Sequence, residues 1–582
     1  MKLVSRYLKH YKLQTVMAPL FKMLEAIFEL LVPLAVAKMI DDGIGQGDRS
    51  TVFGMGGVLL LLAVIGFGCS VTAQYFSAVA ASGVGRRLRF DLFRHIESLS
   101  YQELDTLGTS TLVTRMTSDT TQVQTGVNMV LRLFLRSPFI VFGAVIMAFT
   151  VDAGIATIFL IVLPVLIAVV FSITFASIPL YKKVQGKLDK VTLLTRENMN
   201  GVRVIRAFHR EEQECRAYRE TSDGLMKSQT FVGRVTAFMN PVTYVIINLG
   251  IAALIHFGAI RVDAGTLTQG EVVALVNYMS QILVELIKLA NLIITMTKSI
   301  AAVRRVQEVF DTQPSISFPD TMEELPSAGE GEMIPRISFS DVSLSYSGAK
   351  EHALSHVSFA AMPGETIGVI GGTGSGKSTL VNLIPRFYEA TEGKIQLNGR
   401  NIEEYPKNAL RQGIGVVPQK AVLFSGTIEE NLRWGNPEAT EEELWEALRI
   451  AQAEAFVREK EDGLKYQINQ GGRNLSGGQR QRLTIARALV RKPGILILDD
   501  SASALDFATD AALRKALRQN TEGMTVLLVS QRVSTVRAAD KIIVLEDGEV
   551  AGIGTHNELL QNSETYQEIC RSQLREGVAG NG

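Results

Sequence analysis

The sequence predicts a multidomain protein in which an all-α transmembrane domain of six helices is followed by an α/β domain. Three observations predict this fold class. The chain of 582 residues exceeds the size of one ordinary domain. Its long apolar runs all lie before residue 310. Alternating strand patterns and a glycine-rich loop begin only after residue 335.

The composition argues against two classes of protein. Lys plus Arg number 59 and Asp plus Glu number 59, so the formal net charge is zero and no nucleic-acid partner is expected, since such a partner requires a basic surface. The three cysteines, Cys69, Cys215 and Cys570, lie too far apart in the sequence for a disulfide framework or a zinc site.

The transmembrane domain is predicted over residues 1–310. A membrane helix needs about 20 consecutive, mainly apolar residues, and charges weaken the first, third and sixth of the predicted spans. Lys and Arg cluster at the N-terminus and after the second and fourth spans, which predicts that these segments and the chain after the sixth span are cytoplasmic. The predicted spans are residues 16–40, 52–82, 126–150, 153–181, 236–260 and 271–297.

Three acids inside the predicted spans leave two interpretations open. Glu25 and Glu29 are four residues apart and share one helix face, and Glu285 lies in the sixth span. Intramembrane acids are costly and often line polar cavities, where these could contact a cationic substrate. In the other interpretation they form ion pairs. The candidate cations are Lys22, Arg132, Arg136 and, for Glu285, Lys288.

Two long polar segments separate span two from span three and span four from span five. Both are compatible with helix, and their centres are DTLGTSTLVTRMTSD (105–119) and RENMNGVRVIRAF (196–208). They are either long extensions of the membrane helices or separate small soluble domains. Residues 311–334 are rich in Pro, Ser, Gly and acids and are predicted to be a linker.

The second domain is predicted over residues 335–575, followed by a flexible tail at 576–582. Residues 365–384 read as a buried strand, a glycine loop and a helix, and the loop fits the pattern G-x-x-x-x-G-K-[ST]. In such a loop, backbone amides surround phosphate oxygens, the lysine reaches the β- and γ-phosphates, and the hydroxyl binds Mg²⁺. The predicted nucleotide-binding residues here are Gly371, Gly372, Thr373, Gly374, Ser375, Gly376, Lys377, Ser378 and Thr379.

A second strand supplies a complementary acid. GILILD (494–499) is apolar and ends in Asp499, at the position where a carboxylate holds Mg²⁺ beside a bound nucleotide. Alone this pattern is weak. Together with the phosphate loop it predicts a site for ATP and Mg²⁺, with Ser378 and Asp499 as metal ligands.

Between these two motifs, NLSGGQRQRLTIARAL (474–489) contains LSGGQ. On this motif the domain resembles the nucleotide-binding domain of ATP-binding cassette (ABC) proteins, and the whole chain resembles an exporter half-transporter of that family. The chain contains one phosphate loop, so the resemblance implies that two half-transporters assemble around shared ATP. The signature residues, which in the family contact ATP bound to the opposite cassette, are Leu475, Ser476, Gly477, Gly478 and Gln479.

The resemblance implies further roles. Tyr346 takes the place of the aromatic residue that stacks on adenine, and Gln419 takes the place of the glutamine that contacts Mg²⁺ and faces the membrane domain. SALD (503–506) matches the D-loop of the family. Residues 101–119 and 200–208 resemble the two intracellular loops whose short coupling helices touch the ATPase domains.

Two residues depart from the family pattern. Asp500 stands where the family usually has its glutamate general base, and a shorter side chain would hold the attacking water poorly. A misplacement of about 1 Å can lower a rate about 10²-fold. Gln531 replaces the switch histidine and carries no charge at neutral pH. Together they imply the degenerate subunit of a heterodimeric exporter, whose intact signature completes the competent ATP site of a non-identical partner.

The predicted function is ATP-driven export of drugs or amphipathic compounds by alternating access, as one subunit of a heterodimeric exporter in a bacterial plasma membrane. The predicted partners are a second, non-identical half-transporter, membrane lipid and a hydrophobic or amphipathic small molecule. The N-terminus and the nucleotide-binding domain are predicted to be cytoplasmic. The alternatives are a homodimeric lipid or peptide exporter and an ATP-gated channel or sensor.

Overall fold

The computed structural model describes residues 2–321, 334–346, 348–349, 351–501, 504–520 and 522–579. Half of the predicted linker, Ser503 of the D-loop motif and the end of the predicted tail therefore lie outside the described residues. The chain divides into two compact units. Unit 1 comprises Met1–Glu97 and Gly108–Thr312, and unit 2 comprises Ser98–Leu107 and Gln313–Gly582.

Before residue 312 the described chain is helical. Two π-helical turns, Met39–Ile44 and Arg115–Asp119, and a 3-10 turn, Lys9–Tyr11, connect some of the helices. The α-helices are α1 Lys2–Leu8, α2 Lys12–Lys38, α3 Arg49–Ser98, α4 Tyr101–Leu107, α5 Thr109–Thr114, α6 Thr120–Leu133, α7 Arg136–Val151, α8 Ala153–Asn200, α9 Val202–Ala207, α10 Glu211–Ala237, α11 Met239–Asp263 and α12 Gln269–Asp311.

Unit 1 contains long apolar helices of the kind that span membranes. Helix α2 covers the first predicted span but carries three charges, Lys22, Glu25 and Glu29, near its centre. The predicted helical membrane domain is confirmed, with the first span set apart from the others by its polarity. Five helical stretches of the described chain are long and apolar enough to cross a membrane, and they are Arg49–Ser98, Thr109–Val151, Ala153–Asn200, Glu211–Asp263 and Gln269–Asp311.

The polar segments between spans are continuations of the membrane helices. Helix α3 has 50 residues and α8 has 48, which correspond to about 70–75 Å at 1.5 Å per residue. A hydrocarbon core is only about 30 Å thick. The structure therefore decides for helix extensions and against separate soluble domains.

Two prolines lie near the start of helices within or at the beginning of predicted spans. The third span breaks between α6 and α7, and Pro138 lies in the first turn of α7. The fifth begins afresh at α11, with Pro241 in its first turn. The first turn tolerates proline, because its backbone N–H groups have no partner within the helix.

Unit 2 is an α/β domain. Its described helices after the linker are α13 Lys377–Leu383, α14 Lys407–Gln412, α15 Ile428–Arg433, α16 Glu441–Ile450, α17 Glu454–Arg458, α18 Gly477–Val490, α19 Phe507–Asn520, α20 Val533–Val536, α21 His556–Asn562 and α22 Glu564–Ala579. Its strands are β1 Ile337–Leu344, β2 Leu354–Ala361, β3 Thr366–Gly371, β4 Glu392–Leu397, β5 Arg400–Asn401, β6 Ile414–Val417, β7 Gly426–Thr427, β8 Gln467–Ile468, β9 Ile495–Asp499, β10 Thr525–Ser530, β11 Lys541–Glu546 and β12 Glu549–Gly554.

The central sheet brings the ends of distant strands together. Its six strands follow the order β12-β11-β3-β10-β9-β6, and a separate four-stranded sheet has the order β2-β1-β4-β5. Strand β10 pairs in parallel with both β3 and β9, with Ser530 opposite Ile370 and Val529 opposite Asp499. The segments that leave β3, β9 and β10 therefore emerge at one edge, where open α/β sheets bind their ligands.

The apolar sequence of the central strands follows from their burial. Every residue of β9 and β10 is buried, as expected for parallel strands covered by helices on both faces. The predicted α/β class of the second domain is thus confirmed.

Candidate functional site

The glycine loop after β3 forms an open cradle at the carboxyl edge of the sheet. Gly374 and Gly376 have φ angles of 86° and 91°, in the region that favours glycine. A Cβ on Gly376 would also lie 2.7 Å from a methyl carbon of Leu354. In contrast, no atom lies within 4 Å of a Cβ built on Gly372 or Gly374. The loop is closely packed on one side and open on the other, so its backbone can approach a ligand.

Lys377 begins helix α13 and folds back over this loop. Its Nζ donates to the carbonyl oxygens of Gly371 (3.1 Å) and Gly372 and lies 3.3 Å from Ser375 Oγ. Burial lowers the pKa of Lys377, while the nearby acids Asp500 and Asp499 act in the opposite direction. Neutral oxygens hold the ammonium group here, so an anionic phosphate oxygen would be a stronger partner for it.

A hydroxyl and a carboxylate lie side by side at the end of β9. Ser378 Oγ donates to Asp499 Oδ1 at 3.1 Å, and burial raises the pKa of Asp499. Both are hard oxygen donors of the kind that Mg²⁺ prefers. Among the described residues no three His, Cys, Asp or Glu side chains form a metal cage.

The side chains of Asp500 and Gln419 contact each other in the site. Gln419 Nε2 donates to Asp500 Oδ2 at 3.3 Å, and the backbone N–H of Asp500 donates to Val529 O at 3.0 Å. Asp500 has a φ of 44°, in the left-handed region that Asp adopts more readily than longer side chains. Gln531 follows β10 and is exposed, and its carbonyl oxygen accepts a hydrogen bond from Gln573 Nε2 at 2.6 Å.

These groups line one cavity of about 300 Å³. The structure thus brings together most of the sequence-predicted residues, although Gly371, Gly372 and Ser375 are not in the lining. Sequence reasoning missed Ala353 and Val529, because small apolar residues carry no chemical signal. The lining residues are Tyr346, Ala353, Thr373, Gly374, Gly376, Lys377, Ser378, Thr379, Gln419, Asp499, Asp500, Val529 and Gln531.

Tyr346 also lines the cavity. In the sequence it lies between β1 and β2, far from the acids that follow β9. Its Oη lies 3.0 Å from Thr379 Oγ1, with which it shares a hydrogen bond. Its ring also meets the ring of Tyr388 edge to face, with 5.2 Å between centroids. The position of the Tyr346 ring is therefore set by contacts on two sides.

The predicted signature forms the start of helix α18 and is not part of this cavity. Ser476 is the N-cap, and its Oγ accepts from Gln479 N at 3.2 Å, while Gln479 Oε1 accepts from Ser476 N at 3.0 Å. Leu475 is buried, whereas Ser476 and Gly477 are exposed. Gly478 lies close to Ala504, because a Cβ on Gly478 would be 3.2 Å from Ala504 O. The helix N-terminus is thus formed and accessible at the surface of the described unit.

The charges inside the membrane helices form an ion-pair network. Arg136 in α7 donates at 2.6 Å to Glu29 in α2 and at 2.6 Å to Glu285 in α12. Glu285 also accepts from Ser137 Oγ at 2.7 Å and from Lys288 Nζ at 2.8 Å. The side chains of Arg136 and Glu285 are only 8% and 3% exposed.

This network decides between the two interpretations of the intramembrane acids. Glu25 pairs with Lys22 at 2.5 Å, so each of the three acids has a cationic partner, and the three acids and three cations cancel in formal charge. Arg132 forms no ion pair in the described chain. The structure therefore agrees with the ion-pair interpretation, in which the acids present no net negative charge to a cationic substrate.

The first predicted coupling segment, residues 101–119, is divided between the two compact units, with residues 101–107 in the unit of the cassette and residues 108–119 in unit 1. Helix α4, Tyr101–Leu107, is grouped with unit 2, and Tyr388 Oη donates to Asp105 Oδ2 at 2.6 Å. The second segment forms helix α9, Val202–Ala207, in unit 1, where Val204 and Phe208 are 60% and 73% exposed.

Comparison with known proteins identifies two family models along the chain. Residues 15–286 match the ABC transporter transmembrane region, and residues 354–503 match the ABC transporter domain that carries the ATP-binding cassette. An uncharacterized ABC transporter ATP-binding protein of Mycobacterium tuberculosis (strain CDC 1551 / Oshkosh) is 36% identical over 581 residues, which cover 99% of each chain.

Relatives with more informative names are also similar along nearly the whole chain. A putative multidrug export ATP-binding/permease protein of Bacillus subtilis is 31% identical over 98% of this chain and 99% of its own length. An ATP-dependent lipid A-core flippase of Syntrophus aciditrophicus is 31% identical over 90% of this chain and 86% of its own. A bacterial Atm1-family ABC exporter with ATP bound has the same fold, with a TM-score of 0.79 at 23% identity over 97% and 98% of the two chains.

Proposed function

This chain belongs to the ABC transporter family, with a membrane region and an ATPase cassette fused in one polypeptide, and on that premise we propose that it is one subunit of a heterodimeric bacterial exporter. The family implies ATP hydrolysis coupled to transport by a multi-pass membrane protein. The proposal adds that the chain's own ATP site turns over slowly and that a non-identical half-transporter supplies the second cassette.

The observation that carries the proposal is the unequal quality of the two half-sites that this chain contributes. Its signature helix is well formed, with a complete capping box at Ser476 and Gln479. Its own cavity has Asp500 and Gln531 at the two positions where the family has its catalytic Glu and His. The intact signature of this chain supports fast ATP hydrolysis only if it faces the phosphate loop of a partner that has the catalytic Glu and His. This is the reason for proposing a non-identical partner.

In the proposed mechanism, Lys377 and the amides of the glycine loop bind the β- and γ-phosphates of ATP, and Tyr346 stacks on adenine. Ser378, Gln419 and Asp499 would hold Mg²⁺, which would supply positive charge beside the phosphate oxygens. Asp500 orients the attacking water less well than a Glu would, because its carboxylate ends one methylene earlier. Gln531 can donate a hydrogen bond but cannot supply a positive charge.

Transport follows from closure of two cassettes on ATP. Helix α4 is held to its own cassette through Tyr388 and Asp105. We assign the exposed apolar turn of α9 to the partner's cassette. Closure then moves the long extensions of α3 and α8, and the membrane cavity alternates between inward- and outward-facing forms. The N-terminus and cassette are cytoplasmic in this scheme, because Lys and Arg cluster in the segments that connect to them.

Drugs or other amphipathic compounds are the proposed substrates, in agreement with the name of the Bacillus subtilis relative. The neutral charge balance of the intramembrane network favours uncharged or weakly charged amphiphiles over strongly cationic ones. The flippase relative supports lipid export, alone as a homodimer or with a partner, as the second candidate function. A channel or nucleotide sensor would equilibrate a compound without accumulating it, so uptake into inverted vesicles on addition of ATP separates these functions.

Copurification tests the heterodimer directly. We expect a tagged copy of this chain, isolated from its native membrane, to bring down a second half-transporter whose sequence has Glu and His at the positions of Asp500 and Gln531. Mass spectrometry of the purified complex identifies the partner. Recovery of this chain alone, as a dimer that hydrolyses ATP at two equal sites, would contradict the proposal.

The signature provides a second prediction. Ser476→Arg is expected to reduce ATP hydrolysis by the purified complex by about 10²-fold or more, since it removes a donor to the partner's γ-phosphate and introduces a bulky side chain. Thr440→Arg is the matched control, because Thr440 caps α16 through the same kind of capping box. Equal ATPase rates in the two variants would show that this signature does not serve the competent site.

A further inference from the structure

Tyr388 lies between the cavity and helix α4, and sequence reasoning gave it no role. It follows α13 in a half-buried position. Its ring packs edge to face against Tyr346, with the ring planes at 89°, and its hydroxyl donates to Asp105 in α4 at 2.6 Å. One side chain therefore contacts both a wall of the proposed ATP site and an element of the predicted coupling loop.

The contact with α4 is charge-assisted and locally supported. Burial, followed by the adjacent Asp105 carboxylate, raises the pKa of Tyr388, so the phenol stays protonated and acts as the donor. Tyr101, at the start of α4, lies 4.6 Å from the ring of Phe387 between centroids. Arg411 covers the Phe387 ring at 5.1 Å. The aromatic contacts hold the beginning of α4, while the Tyr388–Asp105 hydrogen bond holds its second half.

The contact with the cavity is equally direct. The hydroxyl of Tyr346 bonds to Thr379 in α13, which leads from the phosphate loop, and its edge-on neighbour is Tyr388. A base stacked on the free face of Tyr346 would restrict this ring, because stacking on an aromatic side chain contributes about 1–3 kcal/mol per base. Restricting Tyr346 restricts the Tyr388 ring packed against it.

We propose that Tyr388 is a positioning residue that links occupancy of the adenine end of the ATP site to the position of helix α4, through its ring contact with Tyr346 and its hydrogen bond to Asp105. This inference rests on the proposed binding of ATP in this cavity. It differs from a link through the phosphates, because it depends on the base and not on the γ-phosphate or on hydrolysis.

Hydrogen exchange in the intact, detergent-solubilised complex tests the proposal without knowledge of the transported compound. We expect saturating MgATP to slow exchange of the amides of residues 101–107 about three- to tenfold, because a restricted Tyr388 ring makes its existing hydrogen bond to Asp105 more persistent, and the full strength of one such bond sets the upper end of this range. Magnesium tripolyphosphate, which has no ring for Tyr346, is expected to protect the amides of the phosphate loop, 371–379, but to change those of α4 by less than twofold.

Two variants examine the hydrogen bond itself. Tyr388→Phe keeps the ring and removes the hydroxyl, and Asp105→Ala removes the acceptor on a helix that tolerates Ala. In each, and in the double variant, ATP should still protect residues 371–379, while its effect on α4 falls below twofold with no further loss in the double variant. Thr106→Ala and Tyr405→Phe are matched controls, because among the described residues the Thr106 hydroxyl donates to Gln102 O within its own helix and the Tyr405 hydroxyl donates to Leu397 O at 2.7 Å. Both controls should behave as the unaltered protein.

The outcomes separate this inference from the proposed function. If ATP protects the phosphate loop and α4 equally well in the unaltered protein and in Tyr388→Phe, Tyr388 has no positioning role, although ATP binding stands. Protection of α4 by tripolyphosphate equal to that by ATP also overturns the inference, since the base is then unnecessary. If ATP fails to protect residues 371–379 in the unaltered protein, the proposed ATP site and the inference built on it both fail.

Discussion

Replacing Arg136 with methionine is expected to destabilise the membrane domain by about 3 kcal/mol, the low end of the cost of breaking a buried ion pair, because Glu285 keeps a second cation, Lys288, at 2.8 Å. Arg136 contacts both Glu29 and Glu285 at 2.6 Å. The Glu285 side chain is 3% exposed, so water cannot solvate it when the guanidinium is removed. Thermal unfolding of the purified protein in detergent should show the loss as a midpoint lower by several degrees.

Two further variants make this prediction specific. Arg136→Met combined with Glu285→Gln should recover part of the lost stability, because the buried carboxylate is then removed together with the guanidinium that paired with it. Arg261→Met is the control, since among the described residues Arg261 pairs with the single acid Asp152 and the two side chains are 41% and 11% exposed, against 8% and 3% for Arg136 and Glu285. Its loss should therefore lower the unfolding midpoint less than the loss of Arg136. If Arg136→Met unfolds at the same temperature as Arg261→Met, the network is solvated and does not hold the helices together.

Asp500→Glu is expected to raise ATP hydrolysis at this chain's own site by up to about 10²-fold, because the longer side chain places its carboxylate about 1 Å nearer the attacking water. That gain corresponds to about 2.7 kcal/mol of activation free energy. Asp500 has a φ of 44°, and a left-handed conformation costs a longer side chain about 1–2 kcal/mol. This strain is present before and during the reaction, so it lowers the stability of the fold and leaves the gain in rate unchanged.

The measurement requires a complex whose partner site is silent, for example one in which the partner's catalytic Glu is replaced by Gln. Single-turnover hydrolysis then reports this chain's site. Asp547→Glu is the control, because Asp547 is exposed, has a φ of 46° and lies in the turn between β11 and β12. An unchanged rate in Asp500→Glu would assign the slow step to Gln531 or to the partner's signature and would reject side-chain length as the cause.

The fold class was predictable because its two signals are strong and local. Runs of about 20 apolar residues have few solutions other than membrane helices, and a strand, a glycine loop and a helix in succession specify one kind of phosphate site. The glycines of that loop were predicted from the motif alone, and the structure gives Gly374 and Gly376 positive φ angles that favour glycine. The end of α6 before Pro138 was missed, because an apolar run hides a helix break.

Site residues could be predicted where the residue type itself indicates the chemistry. They could not be predicted where their role depends on packing against residues distant in the sequence. Lys377, Ser378 and Asp499 were named from motifs, and parallel pairing of β10 with β3 and β9 brings them to one edge. Tyr388 belonged to no motif that sequence analysis recognised. Its importance arises from contacts with Tyr346 and Asp105, which are 42 and 283 positions away in the chain.

The order of residues along the chain was enough to determine that this protein has a helical membrane region, a cassette with a phosphate loop and a signature, and an aspartate where a glutamate is usual. Only the folded structure decided that Glu25, Glu29 and Glu285 are neutralised by Lys22, Arg136 and Lys288, and that a tyrosine joins the cavity to α4. The physical reason is that a motif reports the conformation and chemistry of neighbours in sequence. The partner of a buried charge or hydroxyl depends on which distant helices and strands pack within about 3 Å of it.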